Sequence, residues 1–204
     1  MDELEDLFER NRAWARWTRT EDPVFFDRLA GGQTPRYFWI GCSDSRVTPD
    51  RVLGLKPGRV FVHRNVANLI GAHDRNSHAA LYFAVNGLRV PHVIVCGHTC
   101  CGGMKAVLGG EDRGAVAEWL KPVHDLAAAH SAELASLAEE AAADRLAELN
   151  VMAQIENIAR TDVVREAWRQ GQPLTLHGWM FSVRDGLLRD LHVSRGAPAS
   201  GNEP

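Results

Sequence analysis

Two stretches hold most of the side chains in this chain that can do chemistry: Gly41-Cys42-Ser43-Asp44-Ser45-Arg46 and Gly97-His98-Thr99-Cys100-Cys101-Gly102-Gly103. Between them they offer thiolates, an imidazole, a carboxylate and a guanidinium. That is the inventory of a zinc site with an acid/base or anion-handling group beside it. Zinc takes Cys and His readily, and two Cys with one His leave a fourth position for water or a carboxylate. His98 and Cys101 are three apart, a spacing that puts both on one face if the loop begins a helical turn, whereas Cys100 would point elsewhere. Cys42, His98 and Cys101 are thus the candidate ligands. The competing reading makes both cysteines small core residues and His98 a hydrogen-bonded histidine at a strand end.

Asp44 and Arg46 are two apart and face the same side of an extended loop. Three roles compete for Asp44: a fourth metal ligand that closes the site, an acceptor for a proton from metal-bound water, or a turn residue, the usual fate of Asp in Ser-Asp-Ser. An Arg within reach holds a carboxylate ionised and favours swinging it off the metal. The pair has the makings of a gate.

These groups need elements to hold them. Each stretch follows an apolar run, Tyr37-Phe38-Trp39-Ile40 or Val93-Ile94-Val95-Cys96, so each reads as the loop after a buried strand, where open α/β sheets place their chemistry. The first strand is expected over 36–41 and another over 60–64. Between strands, 49–53 holds a helical turn, and a helix capped by Ser77 carries Leu81, Ala84, Val85 and Leu88 at i, i+3, i+4 and i+7. Strand-helix-strand succession implies parallel pairing. After His98 the pattern is helical, with one stripe from Val116 to Ala127 and another from Leu146 to Ala159, closed by Gly171 and Pro173. Then come a strand over 174–181, a tight hairpin at Asp185-Gly186 and its return over 187–193.

At 204 residues and 45% hydrophobic, the chain can bury a substantial core in one domain with appendages. The expected division is an N-terminal helical arm (1–32), an α/β domain (33–195) and a disordered tail (196–204). Leu4, Leu7, Phe8, Trp14 and Trp17 load the arm with apolar surface, for the chain's own core or for a subunit interface. A net charge of −3 leaves no electrostatic footprint for nucleic acid or a membrane surface. The acidic start and the lack of an apolar run near ~20 residues lead to the expectation of a cytoplasmic protein. Four cysteines in that reducing milieu are ligands or core residues rather than disulfides. His63, His92 and His177 read as buried hydrogen-bonded residues. His73, His78, His124, His130 and His192 lie in polar sequence.

With both loops in view, Cys42-Ser-Asp44-Ser-Arg46 and His98-Thr-Cys-Cys101-Gly-Gly resemble motifs of the β-class carbonic anhydrases. The likeness continues through His63-Arg64-Asn65-Val66-Ala67-Asn68, Glu148-Leu149-Asn150-Val151 and His177-Gly178-Trp179, and so spans most of the chain. The resemblance implies an α/β fold with a mostly parallel four- to five-stranded sheet flanked by helices. It also implies homodimers, often homotetramers, whose N-terminal arms cross between subunits.

Carried over residue by residue, it implies Zn2+ on Cys42, His98 and Cys101, with Asp44 and Arg46 as the family's dyad and Asp44 as fourth ligand in a closed state. Gln33 matches the position whose amide meets carbon dioxide or bicarbonate, and Val66, Phe83 and Gly102 match the substrate cleft. The implied activity is reversible hydration of carbon dioxide, in which zinc lowers the pKa of its water and the resulting hydroxide attacks. A bicarbonate-inhibited subgroup carries an inhibitory site to which Trp39, Arg64 and Val47 correspond; Phe181 stands where that subgroup has Tyr. Two other functions use the same site: hydrolysis of carbon disulfide or carbonyl sulfide, and a catalytically silent bicarbonate-binding zinc protein.

Overall fold

The computed structural model describes residues 3–71 and 74–197. His73 and the tail beyond residue 197 lie outside the described residues. The chain divides into two compact units, with the break between Thr34 and Pro35.

The first unit holds two helices, α1 (Glu3–Glu21) and α2 (Phe25–Ala30). Phe26 joins them: Trp14 meets its ring edge-on at 5.6 Å, and the Arg19 guanidinium lies 4.9 Å from its centre. Leu4, Leu7, Phe8, Trp14 and Trp17 remain exposed along α1.

The second unit is built on a five-stranded sheet of order β2-β1-β3-β4-β5: Val60–Asn65, Tyr37–Cys42, His92–His98, Thr175–Phe181 and Leu188–Asp190. The first four strands are parallel and β5 runs antiparallel to β4. This is the α/β architecture expected. Strands β1 and β3 are buried along nearly their whole length, as parallel strands covered on both faces must be. On one face Phe38, Ile40, Val93, Val95 and Leu176 join a large core with Leu146, Val151, Ile155 and Ile158 of helix α9 (Glu139–Ala159). On the other face Trp39, Val47, Ile94, Cys96 and Phe181 form a smaller cluster.

The register sets the site. Gly41 pairs with Cys96, and His98 with Phe181, so the carboxyl ends of β1 and β3 lie side by side although far apart in sequence. Close packing under α9 fixes Gly97: an added Cβ would stand 2.8 Å from both Met180 Sδ and Val151 Cγ2. Gly97→Ala is expected to cost about 1–3 kcal/mol through overpacking, read as a lower midpoint in urea unfolding.

Several local expectations are corrected. The helix α4 (Arg75–Tyr82) is capped by Asp74 rather than Ser77: the Asp74 carboxylate accepts the Asn76 and Ser77 N–H groups at 3.1 and 3.3 Å. Ser77 lies one turn inside and donates its hydroxyl to the Asp74 carbonyl at 3.1 Å. The stripe from Val116 breaks into α6 (Gly114–Trp119) and α7 (Lys121–Ala129), with Pro122 at the start of the latter, where a missing N–H costs least. The β4–β5 link is a longer loop rather than a two-residue turn, closed by Ser182 N–H to the Leu187 carbonyl at 2.9 Å. The return strand is accordingly short, and Arg195 instead makes an isolated bridge to Leu176. Among the described residues no helix is long and apolar enough to cross a membrane.

Candidate metal centre

Cys42 ends β1, His98 ends β3, and Cys101 directly precedes α5 (Gly102–Gly109). Their donor atoms all lie within 4.8 Å of one another, and all three residues are buried. The spacing between His98 and Cys101 works through a turn rather than a helix. Cys100 takes a left-handed φ of 57° in this turn, and its sulfur is not part of the cluster. Two contacts hold this strained residue: its N–H donates to Asp144 Oδ1 at 2.7 Å, and its carbonyl accepts Arg46 Nη2 at 3.1 Å.

The donors fit a metal ion. His98 Nδ1 lies 3.0 Å from the Thr99 carbonyl, which can only accept, so Nδ1 carries the proton and Nε2 offers its lone pair. Nε2 is buried without any hydrogen-bond partner, a costly arrangement unless something binds it. Beside it the Cys42 thiol is drawn down, chiefly by a hydrogen bond from Cys101, against the cost of burial and with the help of the neighbouring His98 ring. The N–H groups of Asp44 and Ala67 help. The same contact, with burial, pushes the Cys101 thiol up. A dication bound here would hold both sulfurs as thiolates.

Asp44 stands beside the cluster, Oδ2 3.8 Å from His98 Nε2. Arg46 grips it from two sides, Nε to Oδ1 at 2.9 Å and Nη2 to Oδ2 at 2.7 Å, and the Arg46 N–H also donates to Oδ1 at 2.9 Å. These hydrogen bonds hold the carboxyl well below the usual carboxylate range despite partial burial. Arg64 braces the same loop through its backbone, with Nε to the Cys42 carbonyl at 2.8 Å and Nη2 to the Asp44 carbonyl at 2.5 Å.

The remaining candidates divide. Val66 follows β2 and Gly102 opens α5, and both are exposed. Val66 Cγ1 lies 3.7 Å from where a Cβ on Gly103 would be, and Phe83 meets Phe61 at a tilt, ring centres 5.7 Å apart, with its side chain half exposed. Gln33 belongs to the N-terminal unit, where it is exposed. Trp39, Val47 and Phe181 meet in the smaller apolar cluster, whereas the Arg64 guanidinium is spent on the two carbonyls. Trp39 is fully buried and its Nε1–H has no partner.

Supporting residues escaped the sequence reading. Asp144 is one acid in an Ala/Glu-rich helix, with no local signal. Asn65 clamps Leu69 through both amide groups at 2.7 Å, closing a turn in which Ala67 and Asn68 have positive φ. Asn150 Nδ2 donates to the Ala67 carbonyl at 2.8 Å. The last two lie in motifs that carried the resemblance, but only packing reveals their task.

Comparison with known proteins agrees with this geometry. The carbonic anhydrase family profile matches residues 37–188. A carbonic anhydrase of Emericella nidulans is 42% identical over 92% of this chain and 82% of its own length. One of Saccharomyces cerevisiae is 34% identical over 91% and 87%. Among solved structures, the β-carbonic anhydrase CafA of Aspergillus fumigatus superposes with a TM-score of 0.91 at 44% identity, covering 94% of this chain and 92% of that one. A Sordaria macrospora β-carbonic anhydrase, described as tetrameric, gives 0.91 at 37% identity, covering 96% and 100%. A sheet of this order, with a Cys-Cys-His cluster at its carboxyl edge and relatives matched over nearly their whole length, places the chain in the β-class carbonic anhydrase family.

Proposed function

We propose that this enzyme hydrates carbon dioxide reversibly to bicarbonate at a zinc ion held by Cys42, His98 and Cys101, with Asp44 and Arg46 controlling the fourth position. The observation that carries the reading is the buried, partnerless His98 Nε2 facing two thiols. Zinc there would supply a nucleophile from water at a pH where bulk water supplies almost none. The protein's own groups do the rest. Asp44 Oδ2, kept ionised by Arg46, is an acceptor beside the reacting position and orients a hydroxyl donated to it. While Arg46 holds it, Asp44 leaves that position open; released, it lies close enough to close it. Val66, Phe83 and Gly102 would line an apolar approach suited to carbon dioxide. Stopped-flow hydration with zinc content on the same sample tests this: absence of zinc, or of hydration at alkaline pH, would overturn it.

Two thiolates leave zinc a weaker acid than three imidazoles would, so activity should climb with pH above neutrality. The climb does not belong to Asp44. Its folded pKa is lowered, so it is ionised throughout that range. A flat rate across neutral and mildly alkaline pH contradicts this reading.

The buried, unpartnered Trp39 Nε1–H is one of the subgroup's bicarbonate donors; Arg64 is already engaged by the Cys42 and Asp44 carbonyls, and Phe181 lacks the hydroxyl of the third. A neutral hydrogen bond is worth about 0.5–1.5 kcal/mol, so bicarbonate inhibition should be several-fold weaker than in tyrosine-bearing relatives. Phe181→Tyr should tighten it; an unchanged inhibition constant counts against the site.

The exposed apolar row on α1 and a relative described as tetrameric support a homodimer or homotetramer. Light scattering checks this. The absence of paired cysteines among the described residues is compatible with a cytoplasmic location.

A further inference from the structure

The sheet carries a second pair of metal-competent side chains at the edge opposite Cys42. His92 opens β3, and His177 on β4 stands opposite Ile94, so the two imidazoles meet diagonally across neighbouring strands with His92 Nδ1 3.1 Å from His177 Nε2. His98 lies six positions along β3 from His92, or about 20 Å at the usual rise. Both histidines are partly exposed. Tyr37 lies nearly flat on His92 with ring centres 5.8 Å apart, and Trp179 flanks His177 at 5.9 Å. Ser194 Oγ sits 3.3 Å from the outer nitrogen, His177 Nδ1.

We propose that His92 and His177 form a second metal site in this protein, taking a borderline transition-metal dication such as nickel, copper or zinc through His92 Nδ1 and His177 Nε2. Imidazole pairs suit these ions. With the nitrogens 3.1 Å apart and metal–nitrogen bonds of about 2.05 Å, the angle at the metal is about 100°. That lies between square-planar and tetrahedral, and each ring must turn by about 40° to aim its lone pair at the ion rather than along the N···N line. Water completes the coordination.

The surroundings favour neutral rings, the form that binds metal. Burial lowers both pKa values, helped at His92 by the Arg36 charge and at His177 by His92; Asp190 opposes this at His177. The Arg36 charge acts on His92 and the Asp190 charge on His177, with opposite signs.

The proton balance closes. In the free pair one N–H lies between the two nitrogens, and the metal must take that place. If His177 is the donor, its proton moves from Nε2 to Nδ1, where Ser194 Oγ accepts it; if His92 is the donor, its proton moves to Nε2. Binding releases no proton from either neutral ring.

Equilibrium dialysis of the zinc-loaded, untagged chain against nickel, with both metals measured in the same sample, tests the proposal. One nickel per chain is expected with zinc unchanged. Affinity should fall at least tenfold in His92→Gln and in His177→Gln and stay unchanged in His124→Gln, whose imidazole pairs instead with Asp112. Nickel should also raise the melting midpoint of the parent chain and not of the two variants. Uptake unaffected by both substitutions, nickel bound only as zinc leaves, or no molar uptake would each overturn it. Zinc content and the nickel-free melting midpoint report folding of each variant, so that if one is unfolded the other decides.

Discussion

Cys101→Ser should lose bound zinc and, with it, nearly all hydration activity. Replacing groups that merely orient a ligand typically costs about 10–100-fold in metal affinity, so removing a ligand should cost more than 100-fold. Serine keeps the shape but not the donor: its hydroxyl has no accessible anion, whereas the thiol is held as a thiolate once a metal binds. The loss should separate from folding. Serine fills the buried place of Cys101 among the core residues with little change in volume, and the strand register on both sides of β3 does not pass through it. Zinc content after dialysis against a chelator, stopped-flow hydration and far-UV circular dichroism on one preparation make the check. Retained zinc with full activity would remove Cys101 from the ligand set.

Reading such a site from sequence works up to a definite point. The buried strands announce themselves as continuous apolar runs, and chemistry-bearing residues directly after them point to the carboxyl edge of a sheet. Adjacency of β1 and β3 was required to bring Cys42 to His98, and parallel topology supplies it. The turn at Cys100 was not legible: its positive φ is stabilised by Asp144, more than forty residues away on α9, and nothing local in Ala143-Asp144-Arg145 announces that contact. Asn150 is similar, since its partner is the Ala67 carbonyl in another loop. Side chains that satisfy distant backbone groups depend on which faces pack together, and periodicity reports only that a face is apolar. The cap at Asp74 was a competition between two good cappers three residues apart, and the Asp74 carboxylate takes it by accepting the Asn76 and Ser77 N–H groups.

The proposed gate yields the second large effect. Arg46→Gln removes the group that holds Asp44 in place and keeps it ionised, leaving the carboxylate free to rotate about its own side-chain torsions toward the ligand cluster, where Oδ2 already stands 3.8 Å from His98 Nε2. Misplacing one group at the reacting position can cost on the order of 100-fold, and kcat/KM at neutral pH should fall by about that factor. If the lost function is gating, alkaline pH should restore part of it, because hydroxide competes better with the carboxylate for the fourth position. Asp44→Asn separates this from simple misfolding of the loop. The amide keeps the volume and still accepts from the Arg46 N–H, but it binds zinc poorly and cannot hold the same charge, so its rate should be low at every pH with no alkaline recovery. The two profiles together decide the assignment: recovery in Arg46→Gln alone supports a gate, and parallel losses in both variants reduce the pair to a structural brace for Cys100, whose carbonyl also depends on Arg46.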